Sequence, residues 1–542
     1  MLSLESAIHY ALVIGLVLAL PLVTTMAVQF FTLGTQSHQT QCRQRVRQAT
    51  RPDTSTHEPY YVGFFHPYPN AGGGGERVLW TMIRAIQEKY PFIVSVIYSG
   101  DRVERDSLVR NVQSKFGLVI DPERIHVEEL TWRWWIDYKS PRFTILVQSL
   151  GSVALAAQAI RRFCPDVFVD TVGFAFTYPF VTMLSSRIPI VAYTHYPTIS
   201  SDMQSMVSSR ESGVNNDERI ARSASLTALK AAYYQSFATL YAFAGSFAWT
   251  IMTNSSWTHG HIVQLFEKAR MTHVVYPPCD SDALAKFPLT PSSRIPAIVS
   301  LAQFRPEKNH VLQIEAFARL LKNHPEYAAP ADQDPLPPPA QLLAKLEAPG
   351  ASPPQYPLLV IIGGARNKQD RARAEALRQR AKALGIDSQV LVVVNAPWSQ
   401  VLKWLQISSL GLHTMRDEHF GISVVEMMAA GLLTIAHDSA GPRLDIVTPA
   451  IRCNSAGSID APTDARAKAY LKRGDAAANR ADQFPVGMVA TTADEFAQML
   501  RFGLAASPVV KEAVRKAARS AATARFSEAA FSTSFYKHFS PV

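Results

Sequence analysis

Cysteine is scarce: Cys42, Cys164, Cys279 and Cys453 are all that 542 residues contain. They form no CxxC pair, so neither a disulfide-stapled scaffold nor a cysteine-based structural zinc site is encoded. A phosphate-binding loop ending in GKS or GKT is also missing. No G-x-G-x-x-G runs into a strand with an acid in the expected register, which makes dinucleotide reduction a poor fit. No Asp, Glu, Lys or Arg occurs between Glu5 and Arg43.

Apolar residues make up 47% of the chain, enough for real cores, and the length suits two or three domains. Fifty-four basic against 44 acidic residues leave +10, which favours anionic partners: nucleic acid, phosphorylated small molecules or an acidic membrane surface. Nucleic acid fits least, because no basic recognition helix or aromatic single-strand platform accompanies the charge.

The uncharged stretch from about Tyr10 to Phe31 is long enough to cross a bilayer of about 30 Å as a helix. Gly15 and Pro21 are tolerated in such helices. A cleaved signal peptide fits less well, because the start, MLSLES, carries an acid and no base. Arg43, Arg45, Arg47 and Arg51 follow, so the positive-inside rule puts the remainder in the cytosol. The expected order is a membrane anchor over 1–31 and a basic linker over 32–58.

Strand, glycine loop and helix come next: YYVGFF from Tyr60, HPYPNAGGGGER, then a helical pattern from Val78 to Lys89. Apolar runs at FIVSVIYSG, CPDVFVDT and IPIVAYTH alternate with helical segments, the pattern of parallel βαβ units covered on both faces. The same order restarts past Pro277 with AIVSLAQF, a helix from about His310 to Lys322, LLVIIGG, a helix from Asp370 to Leu384, and VLVVVN. The chain therefore reads as α/β, with two doubly wound Rossmann-like domains over 59–285 and 286–520 and ligand expected between them. A C-terminal helix within 521–542 is expected to return to the first domain. Residues 329–357, rich in Pro and Ala, read as a mobile surface insert, and 455–483 as a second insert.

Residues 231–252 carry no charge and seven aromatics. Spanning a membrane there would split one domain across a bilayer, so an interfacial or partly buried membrane-associated helix is preferred. A core helix packed under the sheet is the competing reading.

The densest site text is RDEHFGISVVEMMAAG, Arg416 to Gly431. Glu418 stands ahead of a helix expected to start near Gly421, whose free amides and positive dipole end suit a phosphate or sugar oxygen, and Glu426 lies on its second turn. SLAQFRPEKNH places Arg305 and Lys308 at the end of a strand, where a planar fork and a point charge can neutralise a diphosphate. NAGGGGER, with Gly73, Gly74, Gly75 and Glu76, lets backbone amides approach a ligand.

The Glu418–Glu426 pair in this setting resembles the E-x7-E signature of retaining family 4 glycosyltransferases of the GT-B class. With RFTILVQSLGS, YTHYPTIS, TNSSWT, VVYPPCD and AGPRLDIV, the chain is similar from about Tyr60 to Phe539 to the GDP-mannose-dependent α-1,2-mannosyltransferases of the dolichol pathway. That resemblance implies a GT-B fold, GDP-mannose as donor, and a trimannosyl chitobiosyl diphosphodolichol acceptor. It further implies the endoplasmic reticulum membrane as location, with other mannosyltransferases of the pathway as partners, and no metal requirement. Arg305 and Lys308 would hold the diphosphate, Glu426 the ribose diol and Glu418 the mannose. Phe420, Gly421 and Ile422 would line the donor, His195 would lie near the transferred sugar, and the glycine loop would meet the diphosphate or acceptor. DSD at Asp280 to Asp282 reads as coincidence. Other membrane-bound GT-B mannosyl- or glucosyltransferases acting on a lipid acceptor, and a non-catalytic glycosyltransferase scaffold, are the rival readings.

Overall fold

The computed structural model describes residues 36–540 except 56, 138–143, 185–186, 200–202, 204–206, 208, 210–221, 291–293, 331, 349–351, 455–456 and 473–483. The anchor expected over 1–31 lies outside the described residues. Among those described, one helix, Thr144–Arg162, is long and apolar enough to cross a membrane. Its inner side, with Leu155, Ala156, Ala159 and Ile160, is packed in a hydrophobic core.

The chain forms two compact units, one running to Pro278 and resuming at Phe531, the other Cys279–Ala530. The expected division at 285/286 thus falls inside the second unit, just after the short helix Ser281–Leu284.

The first unit is built on β1 (Tyr60–Phe65), β2 (Ile93–Ser99), β3 (Ile125–Glu129), β4 (Val167–Asp170), β5 (Ile190–Thr194), β6 (Thr250–Thr253) and β7 (Thr272–Val274). They lie in the order β3-β2-β1-β4-β5-β6-β7, with β1 parallel to both β2 and β4. The central strands β2, β4 and β5 are buried along their whole length, as unbroken apolar strands covered on both faces must be. On one face the core includes Phe65, Tyr98 and Phe168, and on the other Val62, Phe64 and Ile97. Phe531, Phe535 and Phe539 of the C-terminal helix Glu528–His538 join that second core, and the Tyr536 hydroxyl donates to the Ala85 carbonyl at 2.7 Å.

The second unit repeats the plan with β8 (Ile295–Leu301), β9 (Leu358–Gly363), β10 (Val390–Val394), β11 (Ser408–His413), β12 (Leu433–His437), β13 (Ala450–Ile451) and β14 (Gly487–Ala490), ordered β10-β9-β8-β11-β12-β14-β13.

Two expectations are corrected. Where a linker was expected over 32–58, Gln36–Ala49 is a helix. Cys42 and Val46, one turn apart, are buried in the core, and Arg43 Nη2 reaches Asp166 Oδ1 at 2.7 Å while Arg45 pairs with the buried Glu128. Polar composition hid an i, i+4 apolar pair that finds its partners only across the fold.

The first insert is not a bare loop: Pro339–Glu347 is a helix with Leu342 and Leu343 buried, and Glu347 pairs with Lys403 at 2.6 Å. In the second insert Asp464–Lys472 is a helix whose Asp464 accepts from the Ser507 hydroxyl at 2.6 Å.

The aromatic stretch 231–252 is divided. Ala224–Gly245 is a helix, capped by the Ser223 hydroxyl, and Thr250–Met252 belong to β6. Tyr234, Phe237, Tyr241 and Ala244 enter the core, while Leu226, Leu229 and Phe243 are exposed. The inward face is that of a core helix, because aromatic rings at this spacing fill the space beside the sheet.

Candidate active site

In a doubly wound sheet, ligand sites form where the strand order reverses, beyond the carboxyl ends of the strands. In the second unit the reversal lies between β8 and β11, and the charged residues of the site text converge there. After β8 the chain makes a 3-10 turn, Pro306–Lys308, ending at Asn309 with φ +48°. After β11, which ends at His413, a loop leads to Gly421. Lys308 Nζ lies 2.5 Å from Glu418 Oε2, and His413 Nε2 lies 3.0 Å from the same oxygen. Among the described residues no hydrogen bond reaches Oε1.

The loop carrying Glu418 is clasped on both sides. The Asp417 amide donates to Ser439 Oγ at 2.8 Å, the Gly441 amide donates to the Glu418 carbonyl at 3.0 Å, and the His437 ring stands 2.9 Å from Ser439 Oγ. Gln313 Nε2 donates to Thr414 Oγ1 at 3.0 Å, and that hydroxyl donates to the Asn309 carbonyl at 3.0 Å, tying the two loops together. Burial alone would raise the Glu418 carboxyl, but the His413 hydrogen bond and the Lys308 charge outweigh it and hold the group well below the usual carboxylate range. Glu418 is thus an anion at every physiological pH.

The helix beyond is Ile422–Ala429, capped by Gly421 at φ +110°, a conformation that side chains rarely adopt. Its first amides have no partner within the helix and form an electropositive end. Phe420 is buried with its ring 5.4 Å from Phe526, which pins the approach to that cap. Glu426, the fifth residue of the helix, is half-buried. Arg305 does not join the Lys308–Glu418 pair: its side chain is 41% exposed, and the carboxylate beside it is Glu307 at 3.8 Å.

In the first unit the reversal lies between β1 and β4. His66 directly follows β1 and Thr171 directly follows β4; His66 Nδ1 and Thr171 Oγ1 are 2.7 Å apart. The other ring nitrogen stands 3.5 Å from Glu76 Oε1, and Glu76 Oε2 accepts from the Gly73 amide, the half of a capping box that a glycine N-cap allows. Burial opposes ionisation of Glu76, yet His66 and the Gly73 amide keep its carboxyl below the usual value. The helix consequently runs Gly74–Lys89, beginning four residues before Val78. A Cβ on Gly75 would stand 3.4 Å from His195 Nε2, so the first helical turn lies against that imidazole. His195 follows β5, with the Tyr193 ring 5.0 Å away edge-on.

Sequence reasoning missed His413 and His66: His413 ends β11 and His66 directly follows β1, positions like that of His195, but His195 was singled out by the resemblance of YTHYP, which neither of them shares. Among the described residues no group of three or more His, Cys, Asp and Glu side chains is arranged to hold a metal ion. Asp280 of the DSD run merely precedes the short helix Ser281–Leu284.

Comparison with known proteins adds to this geometry. The family model described as "ALG11 mannosyltransferase N-terminus" matches residues 59–266, and "Glycosyl transferases group 1" matches 344–472. The chain is 38% identical over 479 residues to the Homo sapiens GDP-Man:Man(3)GlcNAc(2)-PP-Dol alpha-1,2-mannosyltransferase, covering 88% of this chain and 85% of that protein. The Dictyostelium discoideum protein of the same name is 35% identical, with coverage of 92% and 87%. Among solved structures, sucrose-phosphate synthase from Thermosynechococcus elongatus aligns with a TM-score of 0.55 at 12% identity, covering 88% of this chain and 98% of that one. Anabaena HepE in complex with UDP and glucose aligns at 0.52 and 14%, with coverage of 88% and 98%. At such identities these two show the fold alone, which is GT-B.

Proposed function

The chain belongs to the GDP-Man:Man(3)GlcNAc(2)-PP-Dol alpha-1,2-mannosyltransferase family, and from that premise we propose that it moves mannose from GDP-mannose onto the trimannosyl chitobiosyl diphosphodolichol acceptor in α-1,2 linkage, with retention. The observation that carries this reading is the Glu418 carboxylate fixed between Lys308 and His413 at the β8/β11 reversal, beside a helix N-terminus.

In the proposed site the diphosphate of the donor meets Lys308, Arg305 and the amides following Gly421, with no metal needed. Lys308 exchanges part of its contact with Glu418 for a phosphate oxygen and stabilises the departing GDP. Glu418 presents its open oxygen to the mannose and offsets positive charge developing at the anomeric carbon. Glu426 accepts hydrogen bonds from the ribose diol, and Phe420 and Ile422 flank the nucleotide sugar. The leaving phosphate oxygen takes the proton of the attacking acceptor hydroxyl as the new C–O bond forms on the same face. Preorganised charge and positioning supply the rate. His195 and the turn of Gly73, Gly74, Gly75 and Glu76 serve the acceptor side in the first unit.

We further propose that the chain works at the cytosolic face of the endoplasmic reticulum, anchored through 1–31, beside other enzymes of the same assembly line. The exposed Leu226, Leu229 and Phe243 are suited to the lipid interface there. The test is to incubate the detergent-solubilised full chain with GDP-mannose and trimannosyl chitobiosyl diphosphodolichol and to size the released glycan. Hexose addition removed by α-1,2-mannosidase is expected. An unextended glycan, or tighter competition by UDP than by GDP, would overturn the proposal.

A further inference from the structure

The second unit holds three arginines, two buried and one half-buried, that the site does not use. Arg294 is 8% exposed, Arg515 1%, and Arg519 is half-buried; among the described residues none has a carboxylate partner. Taking guanidinium ions out of water without counter-charge is unfavourable. Burial, with the nearby Arg515 and Arg519 charges, pushes Arg294 down to about 9, and burial pushes Arg515 down to about 10. Such a cluster persists only where something negative faces it.

What faces it is backbone carbonyl oxygen at the amino-terminal side of the sheet. Arg519 Nε donates to the Ala429 carbonyl at 2.8 Å and Arg294 Nη2 to the Ala430 carbonyl at 2.5 Å, both at the exit of the Ile422–Ala429 helix. These are the carbonyls a helix leaves without internal partners, at its negative dipole end. Arg294 Nη1 also donates to the Leu405 carbonyl at 3.1 Å and to the Ser408 carbonyl, the first of β11, at 2.7 Å. Arg294 itself immediately precedes β8, and Arg515 Nη2 reaches the Ser409 carbonyl at 3.3 Å. Gly431, at φ +84°, leaves no room for a side chain, since a Cβ there would stand 2.8 Å from Arg519 Nη2 and 3.1 Å from Arg294 Nη2.

The three elements joined in this way are β8, β11 and the Ile422–Ala429 helix. Their opposite ends carry Lys308, the His413–Glu418 pair and the Gly421 cap. We propose that Arg294 and Arg519 are positioning residues for the donor: by clamping the far ends of these elements they set the helix N-terminus in register with Lys308 and Glu418. The inference rests on the donor reading above. An eight-residue helix rises about 12 Å, so a shift at its exit reaches its amides undiminished.

Arg519 is the residue to change, because it holds one carbonyl where Arg294 holds four. The full chain in detergent is titrated with GDP by calorimetry, and KM and kcat are measured for GDP-mannose. Arg519→Met is expected to weaken GDP binding and raise KM about five- to tenfold with kcat within about threefold, and Arg519→Lys, which keeps the charge, to return to within about twofold of wild type. A folded Arg519→Met protein with wild-type GDP affinity overturns the clamp. Should that variant not fold, Arg519→Gln, which keeps a donor and removes the charge, is read by the same criterion: at least threefold weaker GDP binding supports the proposal, and unchanged affinity overturns it. A wild-type chain that does not bind GDP fails the donor reading and takes the clamp with it, whereas wild-type binding unaffected by Arg519→Met and Arg519→Gln fails the clamp alone.

Discussion

Lys308 Nζ lies 2.5 Å from Glu418 Oε2, although the two residues are 110 positions apart and leave the sheet from different strands. They meet because β8 and β11 are parallel neighbours at the reversal of strand order, so both loops emerge on the same side. The pair is an anion held ionised beside a cation that can be shared with a phosphate. That combination underlies the behaviour expected of the variants below.

Glu418→Gln keeps the shape of the side chain and removes the charge proposed to balance the anomeric carbon. Turnover is expected to fall roughly 10²- to 10³-fold, the usual effect of deleting one preorganised electrostatic group, with KM for GDP-mannose within about threefold. Initial rates across a range of GDP-mannose concentrations separate the two parameters, and near wild-type turnover would contradict the role.

Glu426→Ala removes the proposed acceptor for the ribose diol and is expected to affect binding first. Losing a hydrogen bond to a charged group is worth about 1.5 kcal/mol or more, so KM for GDP-mannose should rise at least about tenfold while kcat changes less. Calorimetric titration with GDP provides the independent check.

Val46, fully buried on the Gln36–Ala49 helix, tests whether that helix belongs to the fold. Val46→Ala should cost about 1–2 kcal/mol in urea unfolding, the transfer loss plus the small void left behind. A chain beginning at residue 36 should remain soluble. One beginning at residue 59 should aggregate, since it uncovers apolar surface and leaves Glu128 without Arg45.

His310, 5% exposed, is pushed down to about 4 by burial, with the His413 and Lys308 charges adding to the effect. An unfolded chain takes up this proton near pH 6.5, the folded chain not until about 4, so stability rises with pH between those values and is lost on acidification. From pH 7 to pH 5 the loss should be about 2 kcal/mol. Urea unfolding of wild type and His310→Asn at both pH values checks it: the stability advantage of wild type should narrow at pH 5, and a constant gap would contradict it.

Most of the architecture was legible in the sequence because buried parallel strands write themselves as unbroken apolar runs. YYVGFF, LLVIIG and VLVVV each lie where that pattern put them. The helix at 36–49 was not legible, since its two buried residues stand among Gln and Arg and its stability comes from Asp166 and Glu128 far along the chain. The aromatic segment at 231–252 was legible only as apolar, because composition says that rings avoid water, not which of them protein receives. Glu418, Lys308, Glu426 and the glycine turn could be singled out by motif, but His413 and His66 could not be told from ordinary strand-end histidines.

What the sequence determined by itself is therefore local: where apolar runs form strands, where glycine opens a helix, and which charged residues stand at strand ends. Only the tertiary structure decided which of those ends are neighbours. Strand order depends on long-range pairing and packing, which no window of residues contains, and it is this order that sets Lys308 and His413 on one oxygen of Glu418 and three arginines on the carbonyls behind them.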